Sequence, residues 1–259
     1  MDNNIAIVVK KRFVLWGQNG HGQSIYNRFM VTRIRRMLIG GLGIGGIAVT
    51  VRYFVRRATQ SELAAQALSR IQQQVHLRAS WSAVEPVFDN FEERGRYDAL
   101  TNRGGYRVYD QPLDQILRTV VVHHSALPQS DGPREIQRIH IQDKGYADIG
   151  YHFVIDGTGQ IYEGRPINIR GAHTGGFNTG SVGICLMGNF ENDTPTATQL
   201  QSLENMIGLL RDAYGITHIA GHRDFQPGVT VCPGNHLSAL LQSTATRLGL
   251  ELGTKGYAG

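Results

Sequence analysis

The chain has 259 residues, 18% of them charged and 41% apolar, with a formal net charge of +5 at neutral pH. Two cysteines in a chain of this length exclude a secreted scaffold held together by disulfides. Residues 1–57 hold ten basic residues against Asp2 alone, a net +9, which leaves −4 for the rest and points to one domain of ordinary size behind a basic appendage.

Residues 1–36 form the basic tail, which favours an anionic surface, lipid headgroups ahead of nucleic acid. Residues 37–57 are apolar and glycine-rich. The stretch from Met37 to Val51 carries no charge and as a helix would span about 22 Å; extension to Val55 gives about 28 Å, close to the hydrocarbon thickness of a bilayer. Arginines flank it on both sides and Arg52 can snorkel to the interface, so the expectation is a transmembrane helix over 37–55. The slightly richer basic side places the remaining chain outside the cytoplasm. Gly41 and Gly45 form a small-xxx-small pair that suits self-association. The alternatives are a cleaved signal peptide, or a Gly-rich helix buried in an assembly such as a phage virion.

Leu63, Ala67, Leu68, Ile71 and Val75 recur at helical spacing and predict a stalk helix over 58–82. Pro86, Gly95 and the Gly104-Gly105 pair make 83–111 a linker. From 112 to 250 the pattern is α/β, with strands expected at 117–123, 149–155, 160–163, 182–187 and 216–220. Helices are expected at 133–143, 196–213 and 235–248, the second capped by Thr196. Asp156-Gly157-Thr158-Gly159 is a hairpin turn signal. The expected fold is a central mixed β-sheet flanked by helices, followed by a flexible C-terminal tail over 251–259. Cys185 lies in the apolar run Val182–Met187, where a buried thiol packs as a small hydrophobe; a bridge to Cys232 is the alternative.

The chemistry concentrates in three residues far apart in sequence. His123 ends one apolar run, His222 follows another, and Cys232 directly precedes Pro233-Gly234. Two imidazoles and one thiolate leave one position of a tetrahedral zinc ion for water or substrate. Either histidine taken alone would more simply be a core residue.

The flanking residues are more specific. They run Val121-Val122-His123-His124-Ser125-Ala126, Ile149-Gly150-Tyr151-His152-Phe153, Gly171-Ala172-His173-Thr174-Gly175-Gly176, Asn178-Thr179-Gly180-Ser181-Val182-Gly183, Met187-Gly188-Asn189-Phe190, Gly221-His222-Arg223-Asp224 and Cys232-Pro233-Gly234. In that order, over 112–250, they resemble the type-2 N-acetylmuramoyl-L-alanine amidases, the superfamily of T7-type phage lysozymes and peptidoglycan recognition proteins. The resemblance implies a hydrolase that cuts the amide between N-acetylmuramic acid and L-alanine in peptidoglycan, with His123, His222 and Cys232 holding Zn2+. His124, one residue on in the strand, faces the other way.

Tyr151 matches the family's catalytic tyrosine, and Thr230 stands two residues before Cys232, where relatives place Lys or Thr as a further stabiliser. Cys185 fills a strand position at which some relatives carry a glutamate base, so proton transfer falls to Tyr151, to His173 or to the attacking water. His173 is expected in catalysis or substrate binding, and Asn178 and Arg170 in substrate binding. Two rival readings stand beside this one. The first is a non-catalytic peptidoglycan-binding module, whose third ligand is typically replaced, often by Ser. The second is a structural phage protein with an accessory amidase domain.

Overall fold

A computed structural model describes residues 44–90 and 106–257, with side chains from Thr59 onward. The chain divides into two compact units, residues 1–61 and 62–259. The basic tail and residues 37–43 lie outside the described residues. Helix α1, Ile44–Gln74, contains the later part of the expected membrane span. Arg52, Arg56 and Arg57 interrupt its apolar run, and among the described residues no helix is long and apolar enough to cross a membrane. The expected transmembrane helix is therefore not supported.

The expected stalk helix also ends early, at Gln74 rather than residue 82. Leu68 and Ile71 pack against the main core, and Ala67 and Val75 are buried. Val75–His76 (β1) pairs in parallel with Ile161–Glu163 (β4), and a 3-10 turn follows at Arg78–Trp81. The end of the expected stalk is thus an edge of the folded unit, an element too short to leave a periodic trace.

The other strands are β2 (Thr119–His124), β3 (Phe153–Ile155), β5 (Ser181–Leu186), β6 (His218–Gly221) and β7 (Glu251–Leu252). They form one sheet of order β1-β4-β3-β5-β2-β6-β7, parallel throughout except for the β3–β4 hairpin. The central strands β2 and β5 are buried along their whole length, which is why they read as unbroken apolar runs rather than alternating ones. Val120, Val122, Val182, Ile184, Leu186 and Ile219 build the main core together with Leu203, Met206, Ile207, Leu237 and Leu241. The last five come from α4 (Ala197–Tyr214) and α6 (Asn235–Leu248). Thr196 and Gln199 close a capping box on α4, worth about 1 kcal/mol, and Gly215 ends the helix at φ 71°.

Alternation sends Val121, His123, Cys185 and Ala220 to the opposite face, with His123 directly across from Cys185. This second face carries the buried histidines. His140, on the turn Ile139–Asp143 that continues the short helix α3 (Pro133–Arg138), accepts at Nδ1 from the Gly150 amide at 2.9 Å. His152 Nδ1 accepts from the Gly183 amide at 3.0 Å. The C-terminal end is packed rather than loose: β7 pairs with β6, and Tyr257 meets Phe177 and Phe225 edge-on.

Burial pushes His140 down to about 3 and His152 down to about 4, so both stay neutral in the fold. In the unfolded chain both take up a proton near pH 6.5, so between there and the folded values the unfolded state binds more protons and stability rises with pH. Full stability is present above pH 6.5 and is lost as pH falls. The two side chains together should cost about 3 kcal/mol between pH 6.5 and 5. Urea unfolding at those pH values should show at least this loss, since burial lowers His123, His124, His173 and His222 as well; an unchanged midpoint would show that neither His140 nor His152 is held neutral.

Candidate metal centre

The sheet brings the three distant residues to one point. His123 comes from the C-terminal end of β2, His222 opens the short helix α5 (His222–Phe225) directly after β6, and Cys232 sits on the loop before α6. One ligand atom from each lies within 4.8 Å of the other two. Cys232 Sγ is 3.6 Å from His123 Nδ1. The ligand atoms of a four-coordinate zinc lie about 3.5 Å apart, so the site closes on such an ion with small movements.

The loop is fixed from both sides. The Arg223 amide donates to the Cys232 carbonyl at 2.7 Å, the Arg223 guanidinium donates to Val231 O and Asn235 Oδ1, and the His124 amide donates to Cys232 Sγ at 3.4 Å. His124 itself lies on the other face, where its Nδ1 accepts from the Phe190 amide.

The electrostatics suit a cation. Burial, then the nearby His173 and His222, hold His123 well below its ordinary value, and burial lowers His222 as well. Both therefore offer neutral nitrogens at pH 7. Burial pushes the Cys232 thiol up to about 12, so without a cation it keeps its proton and binding one must displace it. A soft thiolate with two imidazoles is a donor set that suits zinc.

Tyr151 packs beside His123, ring centroids 5.0 Å apart, and against the buried cluster that contains Cys185. Burial and then the Cys185 and Cys232 sulfurs hold this phenol well above its ordinary value, so it stays a proton donor. Thr230 Oγ1 accepts from the Cys232 amide at 3.1 Å, which leaves its own proton to donate. Beside the triad runs a groove of about 290 Å³, lined by Tyr146, Arg170, His173, Asn178, His222 and Gln226 among others. A larger cavity of about 550 Å³ over α3, lined by Arg134, Glu135 and Arg138, contains none of these groups.

Not every expected residue is placed as its expected role would require. His173 is only 7% exposed, and its Nδ1 lies 3.0 Å from His123 Nε2 and 2.9 Å from Thr174 Oγ1. It forms part of the groove wall, with its ring turned toward His123. Asn178 Oδ1 accepts from the backbone amides of His173 and Thr174, both at 2.8 Å, so it shapes the loop. Arg170 lines the groove but is 1% exposed. Cys185 and Cys232 are free thiols, which removes the disulfide alternative.

Gln226 and Tyr146 were not anticipated. Gln226 lies four residues after His222, and its Oε1 sits 2.9 Å from His222 Nε2. An i,i+4 spacing to a candidate ligand was the available signal. Tyr146 left none, because it stands outside any regular element.

A family model described as N-acetylmuramoyl-L-alanine amidase (Amidase_2) matches residues 113–235. Peptidoglycan-recognition protein SC2 of Drosophila simulans is 37% identical over 138 residues, which span 48% of this chain and 72% of that protein. Peptidoglycan recognition protein 1 of Bos indicus is 33% identical over 163 residues, 58% of this chain and 80% of that protein. Among solved structures, peptidoglycan recognition protein-LE in complex with tracheal cytotoxin, a monomeric diaminopimelic acid-type peptidoglycan, is similar with a TM-score of 0.53. It is 27% identical, and the match covers 66% of this chain and 94% of that one. The chain belongs to the superfamily of peptidoglycan recognition proteins and type-2 N-acetylmuramoyl-L-alanine amidases.

Proposed function

We propose that this protein is a zinc-dependent amidase that hydrolyses the bond between the lactyl carbonyl of N-acetylmuramic acid and the L-alanine nitrogen of the stem peptide. The observation that carries this reading is the convergence of His123, His222 and Cys232, two neutral imidazoles and a thiol, at the end of the groove. The family match and a relative bound to a peptidoglycan fragment support peptidoglycan as the ligand. A zinc ion held there supplies Lewis acidity to a carbonyl and acidifies water toward neutral pH.

The chain's own residues then do the rest. The groove binds the glycan and stem peptide and brings the lactyl carbonyl up to the triad. Water adds to the carbonyl carbon, the C–N bond breaks, and the alanine nitrogen leaves carrying a proton. Tyr151 donates a hydrogen bond to the developing negative charge, and Thr230 donates a second without adding charge. With Cys185 where a carboxylate base would otherwise stand, the proton that the leaving nitrogen takes comes from Tyr151 or from the attacking water.

Full-length protein incubated with purified cell walls should release new L-alanine amino termini, detected by amine labelling. A chelator should stop the release and added zinc restore it. Walls that sediment with the protein but yield no new amino termini would establish a binding module instead.

A further inference from the structure

Metal-ligating histidines are oriented by what their other ring nitrogen touches, and that partner fixes which nitrogen carries the proton. In this chain both imidazoles have such a partner. His123 turns Nδ1 toward Cys232 Sγ, at 3.6 Å, and Nε2 toward His173 Nδ1, at 3.0 Å. His222 has Nε2 against Gln226 Oε1, an atom that can only accept, so the Nε2 proton is on His222 and its Nδ1 is left bare. At His123, ligation through the Nδ1 that faces Cys232 places the shared proton on Nε2 and makes His173 Nδ1 its acceptor. The protonated edge of His173 then faces inward, beside the Ser181 carbonyl, in a geometry looser than a full hydrogen bond.

Both contacts lead to one segment. Gln226 Nε2 donates onward to the Gly175 carbonyl at 3.2 Å. His173 belongs to the same 171–181 loop and is locked there by Asn178, which accepts from its backbone amide. The ring also sits in a slot that only glycines leave open. A Cβ on Gly171 would come within 2.4 Å of His173 Cδ2, and one on Gly183 within 2.5 Å.

We infer that His173 and Gln226 are positioning residues that hold His123 and His222 by their Nε2 atoms, so that the 171–181 loop presents both Nδ1 atoms to one cation. The inference rests on the zinc-hydrolase reading above and gives His173 a role toward His123 in addition to its place in the groove wall. A helix-surface pair would account for His222 with Gln226 alone, but not for the onward bond to Gly175 or for the matching arrangement at His123.

The test is zinc affinity of the full-length protein at fixed pH, by competition with a chromophoric chelator. Gln226→Leu and His173→Leu should each weaken binding about 10–100-fold. Gln226→Glu and His173→Asn, which keep an acceptor in place, should recover most of that loss. Thermal unfolding of the metal-free variants separates misfolding from lost positioning. Long-range 15N spectra of the histidine rings supply a readout free of metal, in which His123 and His222 should both appear as Nε2–H tautomers in the parent. Leucine variants that hold zinc as tightly as the parent, or parent rings protonated on Nδ1, would overturn the inference and leave the amidase reading standing. A parent protein that binds no zinc would overturn both.

Discussion

Cys232→Ser should abolish release of L-alanine amino termini from cell walls while leaving wall binding in place. The substitution is close to isosteric, but it replaces a soft sulfur ligand with a hydroxyl that stays protonated at neutral pH. A centre of two nitrogens and one weak oxygen holds zinc poorly. Losing the Lewis acid removes several kcal/mol of transition-state stabilisation, about 10³-fold in rate or more. The groove residues Tyr146, Arg170 and Asn178 are untouched, so affinity for the wall should change little. Removing the thiol also removes an accepted bond from the His124 amide, which the serine oxygen can replace, so the metal-free fold should survive. Turnover at the parent rate in this variant would rule out Cys232 as a ligand. Loss of wall binding together with turnover would mean the loop itself had collapsed.

The core was legible from strong local signals, and the convergence of His123, His222 and Cys232 from the family pattern of the residues that flank them. β2 and β5 are buried on both faces and read as apolar runs, and α4 announces itself through its capping box. The opposite facing of His123 and His124 follows from strand alternation alone. The contact between His173 and His123 was not legible, because spacing cannot show that the His173 ring lies in a slot left open by Gly171 and Gly183. Gln226 was missed because it has meaning only once His222 is known to open a helix. The membrane helix was read from the apolar stretch 37–51 extended through Arg52, whereas the described helix carries three arginines between Arg52 and Arg57. The N-terminal limit of the catalytic unit was misplaced for another reason: β1 has two residues, and what ties it down is a side chain, not a pattern.

That side chain is Arg78, and Arg78→Ala should destabilise the fold by about 3 kcal/mol. Its guanidinium donates to Gly164 O at 2.7 Å and Val84 O at 2.9 Å, and pairs with Asp148 at 3.0 Å. The Asp148 side chain is wholly buried, so removing Arg78 strands a carboxylate that has lost its ion-pair partner. Three neutral donors remain, Gln137 Nε2 and the Ile149 amide at 2.7 Å and the Tyr106 hydroxyl at 3.5 Å, which keeps the cost at the low end for a broken buried pair. Arg78→Lys should recover only part, because an ammonium cannot reproduce the fork that meets three acceptors at once. Asp148→Asn placed on top of Arg78→Ala should restore stability relative to Arg78→Ala alone, since the stranded charge is then gone. If the two substitutions instead add, the pair is not the tie. The Asp148 and Ile149 carbonyls also accept from the buried Arg165, and Tyr151 follows two residues on, so the anchor that closes β1 onto the sheet also braces the strand entry carrying Tyr151. The family match begins at residue 113, beyond Arg78 and β1. A chain cut to that span would keep every proposed zinc ligand and lose the arginine that pairs with its buried Asp148.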